Sequence, residues 1–176
     1  MNDSSTSTDA LHEIRAEVRV RDQVMRYGRT GSGFPVVMLG SPADPEPLWP
    51  GLHQAIARRF RLIVPDLPRC DTDVAAWLAA FLEGLGSTEV RVVASSEFCV
   101  AALELVIADL DRIARVVLVT HGDAGGPGLD STLASGTQNT SVPLLVVRRG
   151  TPASEAVPLV VGFCAEDTGG NGKTPY

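Results

Sequence analysis

The stretch from Val90 to Ala108, V-R-V-V-A-S-S-E-F-C-V-A-A-L-E-L-V-I-A, constrains the fold more than any other part of the chain. It reads as a short strand, Val90 to Ala94, a sharp turn at Ser95–Ser96–Glu97, and then an apolar helix. A strand without polar alternation must be covered on both faces. The same unit recurs on both sides of it. Pro35 to Leu39 (P-V-V-M-L) is a continuous apolar run, a helix follows from about Gly51 to Arg59, and Arg61 to Val64 is the next strand. A further helix carries Val74, Trp77, Leu78, Phe81, Leu82 and Leu85 at the spacing of one buried stripe. Asp71 or Thr72 is its expected cap, and Gly84 and Gly86 stop it. Arg115 to Thr120 is another strand. Strands alternating with helices define an α/β protein with a mostly parallel sheet flanked by helices. Ligands bind at the carboxyl ends of such strands, so the loops after Leu39, Val64, Ala94 and Thr120 are expected to share one cleft.

Around this frame the chain is less regular. Residues 1–9 are polar and aperiodic and are expected to be a disordered tail, as are residues 169–176. Residues 10–168 are expected to form a single domain. Ala16 to Gly28 alternates apolar and polar residues around Arg21–Asp22, the pattern of a hairpin with one face on the core. Gly40 to Pro50 holds four prolines and must be loop. Beyond Thr120 a Gly-rich segment precedes a strand ending at Arg148. Val157 to Phe163 could be a further strand, but a parallel crossover needs roughly a dozen residues. The region Leu159 to Asp167 is therefore either a helix or an antiparallel edge strand.

Composition excludes several classes of function. A hydrophobic content of 44% and 176 residues describe a globular chain. The net charge of −6, with no basic run longer than Arg58-Arg59 or Arg148-Arg149, argues against nucleic acid as a partner. Fourteen of the fifteen basic residues are arginine, a bias typical of a GC-rich bacterial genome. Cys70, Cys99 and Cys164 fit neither a disulfide framework nor a metal motif, and buried free thiols are expected for the latter two. Without a leader or a long apolar span, the expectation is a soluble cytoplasmic protein that does not enter a membrane. No motif calls for a cofactor or a metal.

The strand, turn and helix around Ser96 have the layout of a nucleophile elbow, and the chain resembles the α/β-hydrolase family. Three further stretches carry the resemblance in the same order. Pro35-Val36-Val37-Met38-Leu39-Gly40-Ser41-Pro42 is similar to the strand and loop that supply half an oxyanion hole. Trp49 through Phe60 to Pro65-Asp66-Leu67-Pro68 is similar to the first helix, next strand and following turn. Leu103-Glu104-Leu105 and Arg112 to Val119 are similar to the elbow helix and the strand after it. The match covers about residues 17–121 and implies a minimal α/β-hydrolase-like fold without a cap domain, a truncated and atypical member.

The resemblance also implies a chemistry that the residues meet only in part. Acyl transfer needs a nucleophile, a base, a group to orient the base, and oxyanion donors. Ser96 supplies the nucleophile, or else it caps the helix with Glu97 in its first turn. The family's G-x-S-x-G is here Ala94-Ser95-Ser96-Glu97-Phe98, and Phe98 is bulky enough to fill a pocket. The family base follows the last strand, and this chain has no histidine after His121. His121 ends the strand beside the elbow strand, and adjacent strands lie only about 5 Å apart. It could serve Ser96 from an unusual side, oriented by Asp123 or by Glu155, or be an ordinary loop histidine. The oxyanion donors fall on the backbone N–H of Glu97 and, allowing one deletion, of Ser41. Trp49 and Phe98 complete the candidate substrate-binding residues.

Three readings follow from this sequence. In the first, the chain is an acyltransferase- or thioesterase-like enzyme of bacterial natural-product biosynthesis. Its open cleft takes a carrier-bound or aryl-acyl donor, with a carrier protein as possible partner. In the second, it is an epimerase or cyclase acting on a peptide or polyketide without a nucleophile. In the third, it is a non-catalytic binding protein. An exposed sheet edge, a feature usually covered by pairing, adds the expectation of a homodimer.

Overall fold

The computed structural model describes residues 12–20, 22–40, 48–67, 73–87, 89–95, 98–108, 112–120 and 141–166. Among these, β1 (Ile14–Val20) and β2 (Gln23–Thr30) form the expected hairpin. There follow β3 (Pro35–Leu39), α1 (Leu52–Ala57), β4 (Arg61–Pro65), α2 (Val74–Leu85), β5 (Val90–Ser95), α3 (Phe98–Ala108), β6 (Ile113–Thr120), β7 (Leu144–Arg148) and α4 (Ala153–Ala165). The strands make one seven-stranded sheet in the order β1-β2-β4-β3-β5-β6-β7. The hairpin and its junction with β4 are antiparallel, and every pairing from β4 to β7 is parallel.

The two faces of the sheet carry separate cores. On one side Val37, Leu39, Val92, Ala94 and Leu118 pack with Leu78 and Phe81 of α2 and with Ala102 and Val106 of α3. On the other, Val36, Met38, Val93, Val117 and Val119 pack with Leu52 and Ile56 of α1 and with Ala156 and Val160 of α4. Both cores draw alternate residues from the same strands, which is why β3, β5 and β6 are buried at every position. Aromatic contacts join α2 to the hairpin. Phe81 stacks on Trp77 with centroids 5.5 Å apart and meets Tyr27 edge-on at 5.7 Å.

Three local expectations are corrected. The cap of α2 is Asp73, whose carboxylate accepts the Ala76 N–H at 3.1 Å, whereas Asp71 and Thr72 lie outside the described residues. The elbow strand runs one residue further, so Ser95 is its last member rather than part of the turn. The run at Val157–Phe163 is helical, inside α4. Its buried residues Ala156, Val160 and Cys164 recur every fourth position, a helical stripe hidden in the sequence by exposed apolar neighbours such as Leu159. Pro158 lies on the exposed side of that helix. The proposed tails, and Cys70 with them, fall outside the described residues. No helix among the described residues is long and apolar enough to cross a membrane.

α2 runs through Gly84 and ends at the cap Gly86, so only the second of its two expected stops ends it. Gly84 and Gly162 are two helical glycines that should respond in opposite directions to alanine. Alanine normally gains up to about 1 kcal/mol over glycine in a helix interior. At Gly162 an added Cβ meets nothing within 4 Å, so Gly162→Ala should stabilise by about 0.5–1 kcal/mol. At Gly84 it would come within 2.6 Å of Val20 Cγ2 and 3.1 Å of Val18 Cβ, both stiff β-branched side chains. Gly84→Ala should therefore destabilise, by about 1–3 kcal/mol. Denaturant midpoints of the two variants check this, and a gain at Gly84 would contradict the close approach of α2 to β1.

Candidate active site

Three strands bring their carboxyl ends together where the cleft is expected. Leu39 of β3 stands level with Ala94 of β5, and Ser95 of β5 stands level with Val119 of β6. Thr120 is level with Arg148 of β7. The chain therefore leaves β5 after Ser95, and β6 after Thr120, from adjacent positions about 5 Å apart. Ser96, Glu97, His121, Asp123 and Ser41 lie outside the described residues. What the structure defines is the frame from which each of them departs.

That frame is tied by polar contacts. The Ser95 hydroxyl is fully buried and donates to the Leu39 carbonyl at 3.3 Å. It thus joins the end of β5 to the end of β3, which leads to Gly40. The Arg149 N–H donates to the Thr120 carbonyl at 2.8 Å, closing the ends of β6 and β7. Trp49 is buried, and its indole N–H donates to the Thr151 carbonyl at 2.9 Å. It links the segment before α1 to the turn after β7, so its polar atom is engaged within the protein. Gly40 has open space where a side chain would be, which keeps a backbone approach clear at the end of β3.

Phe98 opens α3 and is buried, in the core between the sheet and the α2–α3 layer. Its ring belongs to the packing that seats the helix. Cys99, the next residue, is also buried, and its thiol lies 3.5 Å from the Ala94 carbonyl and 3.6 Å from that of Val119. Burial pushes this thiol up to about 11, partly opposed by the bond to Val119, so it stays protonated and poorly nucleophilic at neutral pH. Glu155 is exposed in the first turn of α4, beyond β7 and thus two strands from β5. His53 lies on α1 away from these strand ends in sequence. Desolvation lowers its pKa, with the Glu13 carboxylate working the other way.

Sequence reasoning brought Ser96, His121 and the oxyanion loop to neighbouring strand ends, and those ends are neighbours. It missed Ser95 as the residue that ties two of them. A serine following the three apolar strand residues Val92, Val93 and Ala94 was the available signal, because a buried hydroxyl needs a partner.

No protein-family model matches the chain, and no curated protein sequence matches it. Solved structures do. A naproxen esterase from Bacillus subtilis aligns over 62% of this chain and 44% of its own, with a TM-score of 0.54 and 12% identity. The epoxide hydrolase CorEH aligns over 62% of this chain and 42% of its own, with a TM-score of 0.51 and 22% identity. A serine hydrolase of carbazole degradation, CarC, aligns over 61% of this chain and 48% of its own, with a TM-score of 0.52 and 20% identity. This chain has the α/β-hydrolase fold. It aligns with less than half the length of each of these three structures.

The two buried thiols give the fold an alkaline limit. Cys99 and Cys164 are both raised to about 11 by burial, against an ordinary value of 9.0. Below pH 9 both states carry the proton and the thiols do not affect stability. Between about pH 9 and pH 11 the unfolded chain ionises first, so stability should fall as pH rises through this window. Urea unfolding at pH 8 and pH 10 measures it, and Cys164→Ala should reduce the fall. An equal loss in that variant and in the parent would contradict the assignment for Cys164.

Proposed function

We propose that the chain is an acyl-transfer enzyme of the α/β-hydrolase superfamily, with Ser96 as nucleophile. The observation that supports this most directly is the strand-to-helix junction of β5 and α3. Only two residues, Ser96 and Glu97, separate the buried end of the strand from the first turn of the helix. A nucleophile there is presented at the carboxyl edge of the sheet, and the Glu97 N–H is the natural first oxyanion donor. Ser41 supplies the second donor from the loop that follows Leu39.

His121 is the proposed base. It follows Thr120 directly, on the strand adjacent to β5, and takes the proton that Ser96 loses as it attacks the acyl carbonyl. Asp123 or Glu155 orients the imidazole. The donor is a carrier-bound or aryl-acyl group in a bacterial biosynthetic pathway, and a second copy of the chain or a carrier protein completes the site. Esterases and a serine hydrolase among the similar structures are compatible with this chemistry. The burial of Phe98 in the helix core leaves the elbow's small-residue requirement unmet on that side, and this favours a non-nucleophilic epimerase, cyclase or binding protein as the second reading.

A serine-directed fluorophosphonate separates the readings. We expect stoichiometric labelling that is abolished in Ser96→Ala and retained in Cys99→Ala. Hydrolysis of an activated aryl ester should fall by about three orders of magnitude or more in Ser96→Ala. It should fall about 10²–10⁴-fold in His121→Ala and remain unchanged in His53→Ala. Absence of labelling between mildly acid and alkaline pH would overturn the nucleophile and leave the non-covalent readings.

A further inference from the structure

The amino end of the sheet, opposite the elbow, holds an arrangement that acyl transfer leaves unused. Arg91 on β5 and Arg115 on β6 are both buried, at 3% and 5% exposure. The pairing of β5 with β6 slips by one residue after Val90, and the slip sets Arg91 level with Arg115. A bulge of this kind re-aims side chains. Here it brings two like charges side by side in an apolar interior, where they repel.

Arg115 is compensated. Its Nε donates to the Glu166 carbonyl at 3.0 Å and its Nη1 to the Glu166 carboxylate at 3.1 Å, and the guanidinium lies 5.0 Å from the Phe163 ring centre. Arg91 is not compensated in this way. Its Nε and Nη1 are fully buried and have no hydrogen-bond partner among the described residues. The guanidinium is held by two aromatic rings, Phe34 at 4.8 Å and Phe60 at 5.7 Å. Ring faces attract a cation but leave its in-plane N–H donors unmet. Buried donors of this kind call for an acceptor.

A cavity of about 500 Å³ lies at the same place, lined by Phe34, Gly33, Pro35, Arg61, Ser87 and Glu89. Phe34 is shared between the cavity wall and the Arg91 sandwich, yet 56% of it is exposed. Phe34 thus joins the buried guanidinium to the cavity wall. The charges set the ligand. Arg115 is paired with the Glu166 carboxylate, whereas Arg91 carries a single positive charge whose Nε and Nη1 have no acceptor among the described residues.

We propose that Arg91 and this cavity form a second binding site, for a small monocarboxylate carried on an aromatic or apolar body. The carboxylate accepts a charge-assisted hydrogen bond from Arg91, at Nε or at Nη1, and the body packs on Phe34 and Pro35. The site stands four residues, about 13 Å, along β5 from Ser95, so it is separate from the elbow.

Benzoate is the probe, with neutral benzamide as its isostere and phenyl phosphate as the dianionic alternative. By ligand-observed NMR and thermal shift, benzoate should bind saturably at millimolar concentration and raise the melting temperature, and benzamide should do neither. Stronger binding of phenyl phosphate than of benzoate would overturn the monoanion assignment. Arg91→Met should lose benzoate binding, whereas Ser96→Ala should keep it, which makes this test independent of the nucleophile. Should Arg91→Met fail to fold, Arg91→Lys serves instead, and a loss of about tenfold or more is expected because a compact ammonium cannot stand in for a planar guanidinium held by two aromatic rings. Equal benzoate affinity in the parent and the Arg91 variant, or no binding to the parent, would overturn the site.

Discussion

The fold rests on the burial of β5 along both of its faces. Val90, Val92 and Ala94 pack toward α2 and α3, and Val93 packs toward the α1–α4 layer. Each buried valine of this kind contributes about 1.5–3 kcal/mol. The contribution depends on helices lying on both sides at once. With β3 and β6 also buried throughout, the three central strands form one rigid slab. Whatever follows their carboxyl ends therefore departs from fixed points. That burial fixes the frame of the candidate site.

Polar atoms inside this slab are few, and each marks a junction. Ser95 ties the end of β5 to the end of β3, and the Trp49 indole ties the approach to α1 to the turn after β7. At the other end of the same strands, Arg115 anchors the last turn of α4 through Glu166. Arg91 differs from all of these because its Nε and Nη1 have no acceptor among the described residues. The two ends of β5 thus carry different chemistry on one strand, a hydroxyl satisfied by backbone at one end and a guanidinium held by two aromatic rings at the other.

Much of this architecture was legible in the sequence, because hydrophobic periodicity reports burial directly. The unbroken apolar runs at Pro35–Leu39 and Val116–Val119 announced strands covered on both faces. The spacing of Leu78, Phe81 and Leu82 announced a helix, and the alternation around Arg21–Asp22 announced a hairpin. The helix α4 was ambiguous for a physical reason. Its exposed side also carries apolar residues, Leu159 among them, so the stripe of Ala156, Val160 and Cys164 does not stand out. The bulge after Val90 left no mark in residue pattern, and with it the pairing of the two arginines was hidden. The residue types of the candidate site were readable, but the tie from Ser95 to Leu39 depends on strand order, which connects residues 56 positions apart.

The central claim is that the junction of β5 and α3 presents Ser96 as a nucleophile. Rapid quenching of the protein with an activated acetyl ester, followed by peptide mapping by mass spectrometry, tests it most directly. The account predicts a transient acetyl group on the peptide containing Ser96, formed before steady turnover and absent from peptides containing Cys164. An acetyl group found only on another residue, or turnover with no covalent intermediate, would contradict it.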